Sequence, residues 1–108
     1  MIKRVSLVRR KPELSRDEFL AHWMGPHADI VRRLPGLRGL RFGVVERWTP
    51  EEASWDGFGE LWFDSAEDAE RAFSTEPYLS MLVEDRAKFL GEAQWCFVEE
   101  HTAVAPPF

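Results

Sequence analysis

The chain has 108 residues, 44% of them apolar and 31% charged, with a net charge of -5 and a single cysteine. These are values for one globular domain over residues 1–108, with 102–108 as a tail, and they exclude an internal disulfide or a cysteine-based metal framework. No apolar run of about 18 residues and no leader pattern occurs, so a soluble, cytoplasmic protein with no membrane partner is expected. Cys96, within QWCFV, reads as a buried structural thiol. Residues 1–47 carry 11 of the 14 basic residues and 5 of the 19 acidic ones, which leaves 3 basic and 14 acidic residues for the remainder. Such asymmetry can guide association or an anionic ligand, or can reflect solvated faces alone.

Ile2 to Arg10 is strand-like, with Val5 and Leu7 on one face and Ser6 and Val8 on the other. Ser15 then caps a helix, and Glu18 stands where its side chain can return a hydrogen bond to the cap. This helix is interrupted by Gly25-Pro26 and stopped by Pro35-Gly36. Residues 37–48 read as a second strand, 49–56 as a surface loop, and Gly57 to Phe63 as a third strand. Ser65 caps a helix with Ala66, Ala69, Ala72 and Phe73 as its packing stripe, and a further helix follows Glu76-Pro77. The last strand is expected over 93–101. The order βαββαβ predicts an α+β, ferredoxin-like fold with a four-stranded antiparallel sheet and helices on one face.

The inner strands are apolar on both faces. Phe58 and Trp62 flank Glu60 on one side of the third strand, with Leu61 and Phe63 on the other, and Trp95 and Phe97 oppose Cys96 and Val98. Since helices cover only one face, the pattern predicts a homodimer packed sheet to sheet into a dimeric α/β barrel.

His22 and His27 flank the Gly-Pro pair. On a helical wheel with Phe19 at zero, they fall at about -60° and about +80°, bordering the apolar stripe of Phe19, Trp23, Ile30 and Leu34. A bordering imidazole can reach a cavity and exchange protons near neutral pH, or it can be half-buried and bonded to a backbone carbonyl. Their spacing of five lacks the i, i+4 geometry of a zinc helix, so no metal is expected. Glu60, between two aromatic residues, is either a proton relay or the partner of an arginine such as Arg41 or Arg47. The stretch DGFGELWF is similar to the third strand of RNA-recognition modules, but Asp56 and Glu60 stand where a basic and a stacking aromatic residue belong, so no nucleic acid is expected.

A second resemblance covers roughly residues 3–100. RRKPELSRDEFLAHWMGPHADIVRRLPGLRG followed by FGELWFDSAEDAERAF resembles the EthD family of dimeric α/β-barrel proteins, most specifically in its H-W-x-x-x-H segment. The resemblance implies a ferredoxin-like protomer with a ligand cavity between sheet and helices. It also implies that His22 and His27 are functional, with Trp23 between them and Glu60 and Trp62 on the cavity-facing strand.

The expected function is binding of an aromatic, lactone or polyketide-like molecule in a pocket lined by Trp23, Phe42, Trp62, Trp95 and Phe97. Cofactor-free acid-base catalysis of the isomerase, cyclase or decarboxylase type would use His27 as base, His22 as orienting or proton-returning group and Glu60 as relay. The alternatives are a non-catalytic accessory protein using the same pocket, and a haem-binding or oxygen-using monooxygenase with His22 or His27 as ligand.

Overall fold

The computed structural model describes residues 1–48 and 55–108, so most of the expected surface loop lies outside the described residues. β1 (Ile2–Arg10) leads to α1 (Arg16–His22), a five-residue π-helical turn (Trp23–His27) and α2 (Ala28–Val31). Ser15 and Glu18 form the expected reciprocal cap: the Glu18 amide donates to Ser15 Oγ at 3.1 Å and the Ser15 amide to the Glu18 carboxylate at 2.9 Å. Gly25-Pro26 does not break the helix. Pro26 has no amide hydrogen and its ring collides with the carbonyl one α-turn earlier, and widening the turn relieves both conflicts. After Val31 the chain leaves the helix through Gly36, whose φ of 82° is a left-handed conformation that suits glycine.

β2 (Gly39–Val44), β3 (Gly57–Phe63), α3 (Ala66–Ser74), α4 (Tyr78–Phe89) and β4 (Leu90–Val98) complete the chain. The sheet order is β2-β3-β1-β4 with every neighbouring pair antiparallel, the ferredoxin-like arrangement expected from the element order. β2 is shorter than expected because its partner begins at Gly57, opposite Val44; the next amide, Val45, bonds instead to the Asp56 carbonyl. β4 lies three residues earlier than expected. Its start is bulged, with Glu92 opposite Arg9 and Leu90 opposite Arg10, so Gly91 is the extra residue. A Cβ at Gly91 would stand 2.5 Å from the Arg10 carbonyl oxygen.

Strand alternation divides the side chains between two environments. Arg4, Ser6 and Val8 of β1 turn toward the helices, as do Leu40 and Phe42 of β2 and Leu61 and Phe63 of β3. Beneath the helices the core has two parts. One gathers Val31, Leu34, Leu61, Phe63, Ala69, Ala72 and Leu82, and the other Val8, Phe19, Trp23 and Phe89. The opposite face presents Val5, Leu7, Phe58, Glu60, Trp62, Cys96 and Val98, in register across β1, β3 and β4. Cys96, expected to be buried, is exposed there in the single chain, because its strand position points it away from the helices. The tail contacts this side too: Glu100 accepts a hydrogen bond from Trp62, and Phe108 lies beneath the Arg41 guanidinium.

Gly57 fixes how closely the first helical layer approaches the sheet. A Cβ at Gly57 would lie 2.6 Å from the buried Trp23 ring and 2.8 Å from the Gly43 carbonyl oxygen. Gly57→Ala is therefore expected to lower unfolding stability by about 1–3 kcal/mol, the usual cost of overpacking. Denaturant unfolding followed by tryptophan fluorescence measures this, and an unchanged midpoint would show that Trp23 yields freely.

Candidate functional site

The seam between the two parts of the core opens into a cavity of about 90 Å³. Val8, Trp23, Val31, Phe42, Leu61 and Phe89 supply apolar walls, while Arg4, Ser6, His27 and Arg86 supply polar groups. An adjoining groove of about 200 Å³ shares Arg4, Phe73, Arg86 and Trp95 with it and extends past Phe97.

His27 enters this cavity by way of the π-helical turn. In an α-helix, residues five apart diverge by about 140°. In a π-helix, the i to i+5 bonding brings them back to one face. His22 and His27 thus converge on one carboxylate of α4: His22 Nε2 lies 2.8 Å from Asp85 Oδ1, and His27 Nδ1 lies 2.9 Å from Asp85 Oδ2. Asp85 is only 4% exposed, so its oxygens are satisfied by these two rings rather than by bulk water. Phe89, one turn further along α4, packs on both imidazoles with centroid distances of 4.7 and 4.9 Å.

This pairing determines the chemistry available to each ring. With the Nδ1 hydrogen of His27 donated to Asp85, the neutral imidazole keeps an acceptor lone pair on Nε2. Burial holds the His27 pKa below its ordinary 6.5; the Asp85 hydrogen bond and charge act against this shift, while Arg86 and His22 add to it. His22 stands on the other oxygen of Asp85 and does not line the cavity, so it acts on His27 through the carboxylate. The three groups are not ligands to a common point, and among the described residues no cluster of three or more His, Cys, Asp or Glu is arranged to hold a metal ion.

The expected pocket residues divide between the sheet faces. Trp23, Phe42 and Trp95 line the cavity with His27, and Phe97 lines the adjoining groove. Trp23 is 3% exposed and meets Phe42 edge-on at 4.8 Å. Glu60 and Trp62 are not brought to the cavity. The alternation that buries Leu61 and Phe63 beneath the helices turns both of them to the open face. The partner of Glu60 is Lys3, at 2.6 Å, rather than Arg41 or Arg47, and this hydrogen bond raises the Lys3 pKa. Both Lys3 and Arg41 lie 5.5 Å from the Trp62 ring.

Asp85, Arg4 and Arg86 did not stand out in the sequence. The signal for Asp85 was its place between Leu82 and Phe89, three and four residues away on the buried stripe of a helix. For Arg4 it was strand parity, which groups it with Ser6 and Val8.

Comparison with known proteins agrees with this architecture. Among solved structures, an EthD family protein from Bacillus halodurans is 25% identical, with a TM-score of 0.77 over 94% of this chain and 99% of that one. A dimeric ferredoxin-like protein of unknown function from Bacteroides fragilis is 14% identical, with a TM-score of 0.66 over 92% and 95% of the two chains. The hydroxynitrile lyase from Passiflora edulis is 13% identical, with a TM-score of 0.71 over 97% and 96%. No curated protein matches the chain. The EthD domain matches residues 11–93, which span the paired histidines, Asp85 and all of β2 and β3. By that match the chain belongs to the EthD family.

Proposed function

We propose that the protein is a homodimeric enzyme that moves a proton on a small oxygenated substrate, with His27 as the base and no cofactor in the step. The observation that carries this reading is the imidazole of His27, tethered through Nδ1 to buried Asp85 and lining an apolar cavity. In the proposed step, His27 Nε2 takes a proton from carbon next to a carbonyl, giving an enolate and an imidazolium. The imidazolium then returns the proton to a different atom, so the net change is an isomerisation. Asp85 holds the ring in the required tautomer, and His22 holds Asp85. The Passiflora edulis neighbour is a hydroxynitrile lyase, which supports catalysis in this fold but carries no substrate across at 13% identity.

The homodimer is supported by the open sheet face, where Val5, Leu7, Phe58 and Val98 form an apolar surface around Lys3 and Glu60, and by neighbours described as dimeric. Leu7→Glu is expected to yield monomers at micromolar concentration and to speed thiol labelling of Cys96. Light scattering and a thiol-reactive dye report both, and an unchanged mass with unchanged labelling would move the interface elsewhere.

The protonation of His27 gives a second test. Its folded pKa is lowered, so below pH 6.5 the unfolded chain binds the proton more readily than the native one. The stability this provides is fully present above pH 6.5 and is lost as pH falls through the interval down to the folded pKa. The unfolding midpoint should therefore drop between pH 7 and pH 5 more steeply in wild type than in His27→Gln. Equal slopes would remove His27 as the responsible group.

For activity, wild type and His27→Ala are compared against phenols, muconolactones and aromatic polyketide mimics by thermal unfolding, with product analysis of each hit. A ligand at 100 times its dissociation constant adds about 2.7 kcal/mol. Conversion by wild type with binding alone by the variant is expected, at a rate ratio of about 10² to 10⁴. Binding by both and conversion by neither would make the protein a non-catalytic carrier or accessory protein.

A further inference from the structure

We infer that Arg4 and Arg86 form an anion subsite, and that the ligand of this cavity is a carboxylic acid with an apolar body. The inference rests on the reading that the cavity takes a small molecule, and it adds the charge that the molecule carries. Arg4 comes from β1 and Arg86 from α4, and both line the cavity and the adjoining groove, at the waist where the two meet.

Arg4 is 8% exposed, yet among the described residues neither it nor Arg86 has a carboxylate within 4 Å. The contacts of Arg4 are a 2.8 Å hydrogen bond from Nη1 to Ser6 Oγ and the faces of Phe73 and Trp95, at 4.1 and 5.2 Å from the guanidinium carbon. Arg86 lies 5.9 Å from the centroid of the same Phe73 ring. The buried acid Asp85 attracts Arg86 through its charge, but each of its oxygens is already engaged by a histidine. Glu70, at the outer groove, is exposed and pairs with neither arginine.

A buried cation without a counter-charge is unfavourable, and a second cation beside it adds repulsion. Burial and the charge of Arg86 accordingly lower the Arg4 pKa to about 10, which still leaves it protonated at neutral pH. A carboxylate is the group that relieves both conditions, since the planar guanidinium fork matches its two oxygens. The dimensions give the rest of the ligand. A cavity of about 90 Å³ holds only one end of such an acid, so the remainder must lie along the outer groove against Trp95, which is 61% exposed, and Phe97.

The test uses isosteric pairs, benzoate with benzamide and phenylacetate with phenylacetamide, titrated into wild type, Arg4→Met, Arg86→Met, His27→Ala and Gly59→Ala by calorimetry. Methionine retains the apolar stem between Phe73 and Trp95 while removing the charge. Gly59→Ala narrows the cavity without a clash, because its Cβ would meet nothing closer than 3.8 Å. Wild type should prefer each acid to its amide by about tenfold or more. That preference should collapse in both methionine variants and persist in His27→Ala, while Gly59→Ala should weaken acid and amide alike. Persistence of the preference in His27→Ala keeps the anion subsite even if the same variant disproves His27 as the base. Equal affinity for acid and amide in wild type, a preference untouched by both methionine variants, or no binding of any acid at millimolar concentration would each overturn it.

Discussion

The arrangement of the site depends on one buried carboxylate shared by two histidines. Asp85 projects from α4 into the first helical layer and receives His22 on one oxygen and His27 on the other. Each bond to a charged acceptor is worth about 1.5–3 kcal/mol, and removing the carboxylate would leave ring donors unsatisfied beside Phe89. The clamp is possible only because the helix widens at Gly25-Pro26, since histidines five residues apart on a regular α-helix face different directions. The π-helical turn is therefore the local device that turns a sequence spacing into a site. It also ties α1, α2 and α4 together around the cavity, so packing and chemistry have a common anchor.

Strand parity is the second constraint. Because successive residues of β1 and β3 point to opposite sides, a single sheet serves two environments with no exchange between them. Arg4 and Ser6 face the cavity, while Lys3 and Val5 face away; Leu61 is buried beneath the helices, while Glu60 and Trp62 look outward. The outward set combines an apolar surface with an internally paired Lys3 and Glu60, which allows it to be covered without stranding either charge. The inward set leaves Arg4 without such a partner. One face thus suits the proposed interface and the other the proposed binding site.

Much of the fold was legible in the sequence because it depends on local signals that agree with one another. β1 and β3 were bounded by their alternation, both serine caps by their side-chain chemistry, and the ferredoxin-like order by the succession of elements. The ends of β2 and β4 were not legible, since they depend on where a partner strand begins and on a bulge at Gly91. The site was legible in part. His22, His27, Trp23 and Phe42 stood out by type and spacing, but the π-helical turn that unites the histidines is a tertiary compromise with no periodic signature. Asp85 and Arg4 were hidden because a charged residue on a buried stripe looks like any other until the opposite element is known. Glu60 drew attention by the same logic applied to the wrong face: its aromatic neighbours are real, but they belong to the open side of the sheet.

The charges of the cavity fit the proposed chemistry in one direction only. Burial and neighbouring Arg86 favour the neutral form of His27, which is the form able to accept a proton. Accepting it creates a third cation near Arg4 and Arg86; Asp85 offsets part of that charge through its hydrogen bond, and negative charge developing on the substrate would offset more. An enolate provides such charge, and a carboxylate already held by the arginines lowers the potential that the new imidazolium experiences. The same guanidinium groups, poorly compensated by the protein's own carboxylates, would then be matched by a bound carboxylate, and His27 would become more basic once substrate is present. In the proposed mechanism, binding and proton transfer would be coupled through a single balance of charge, set by the residues that β1 and α4 place around the cavity.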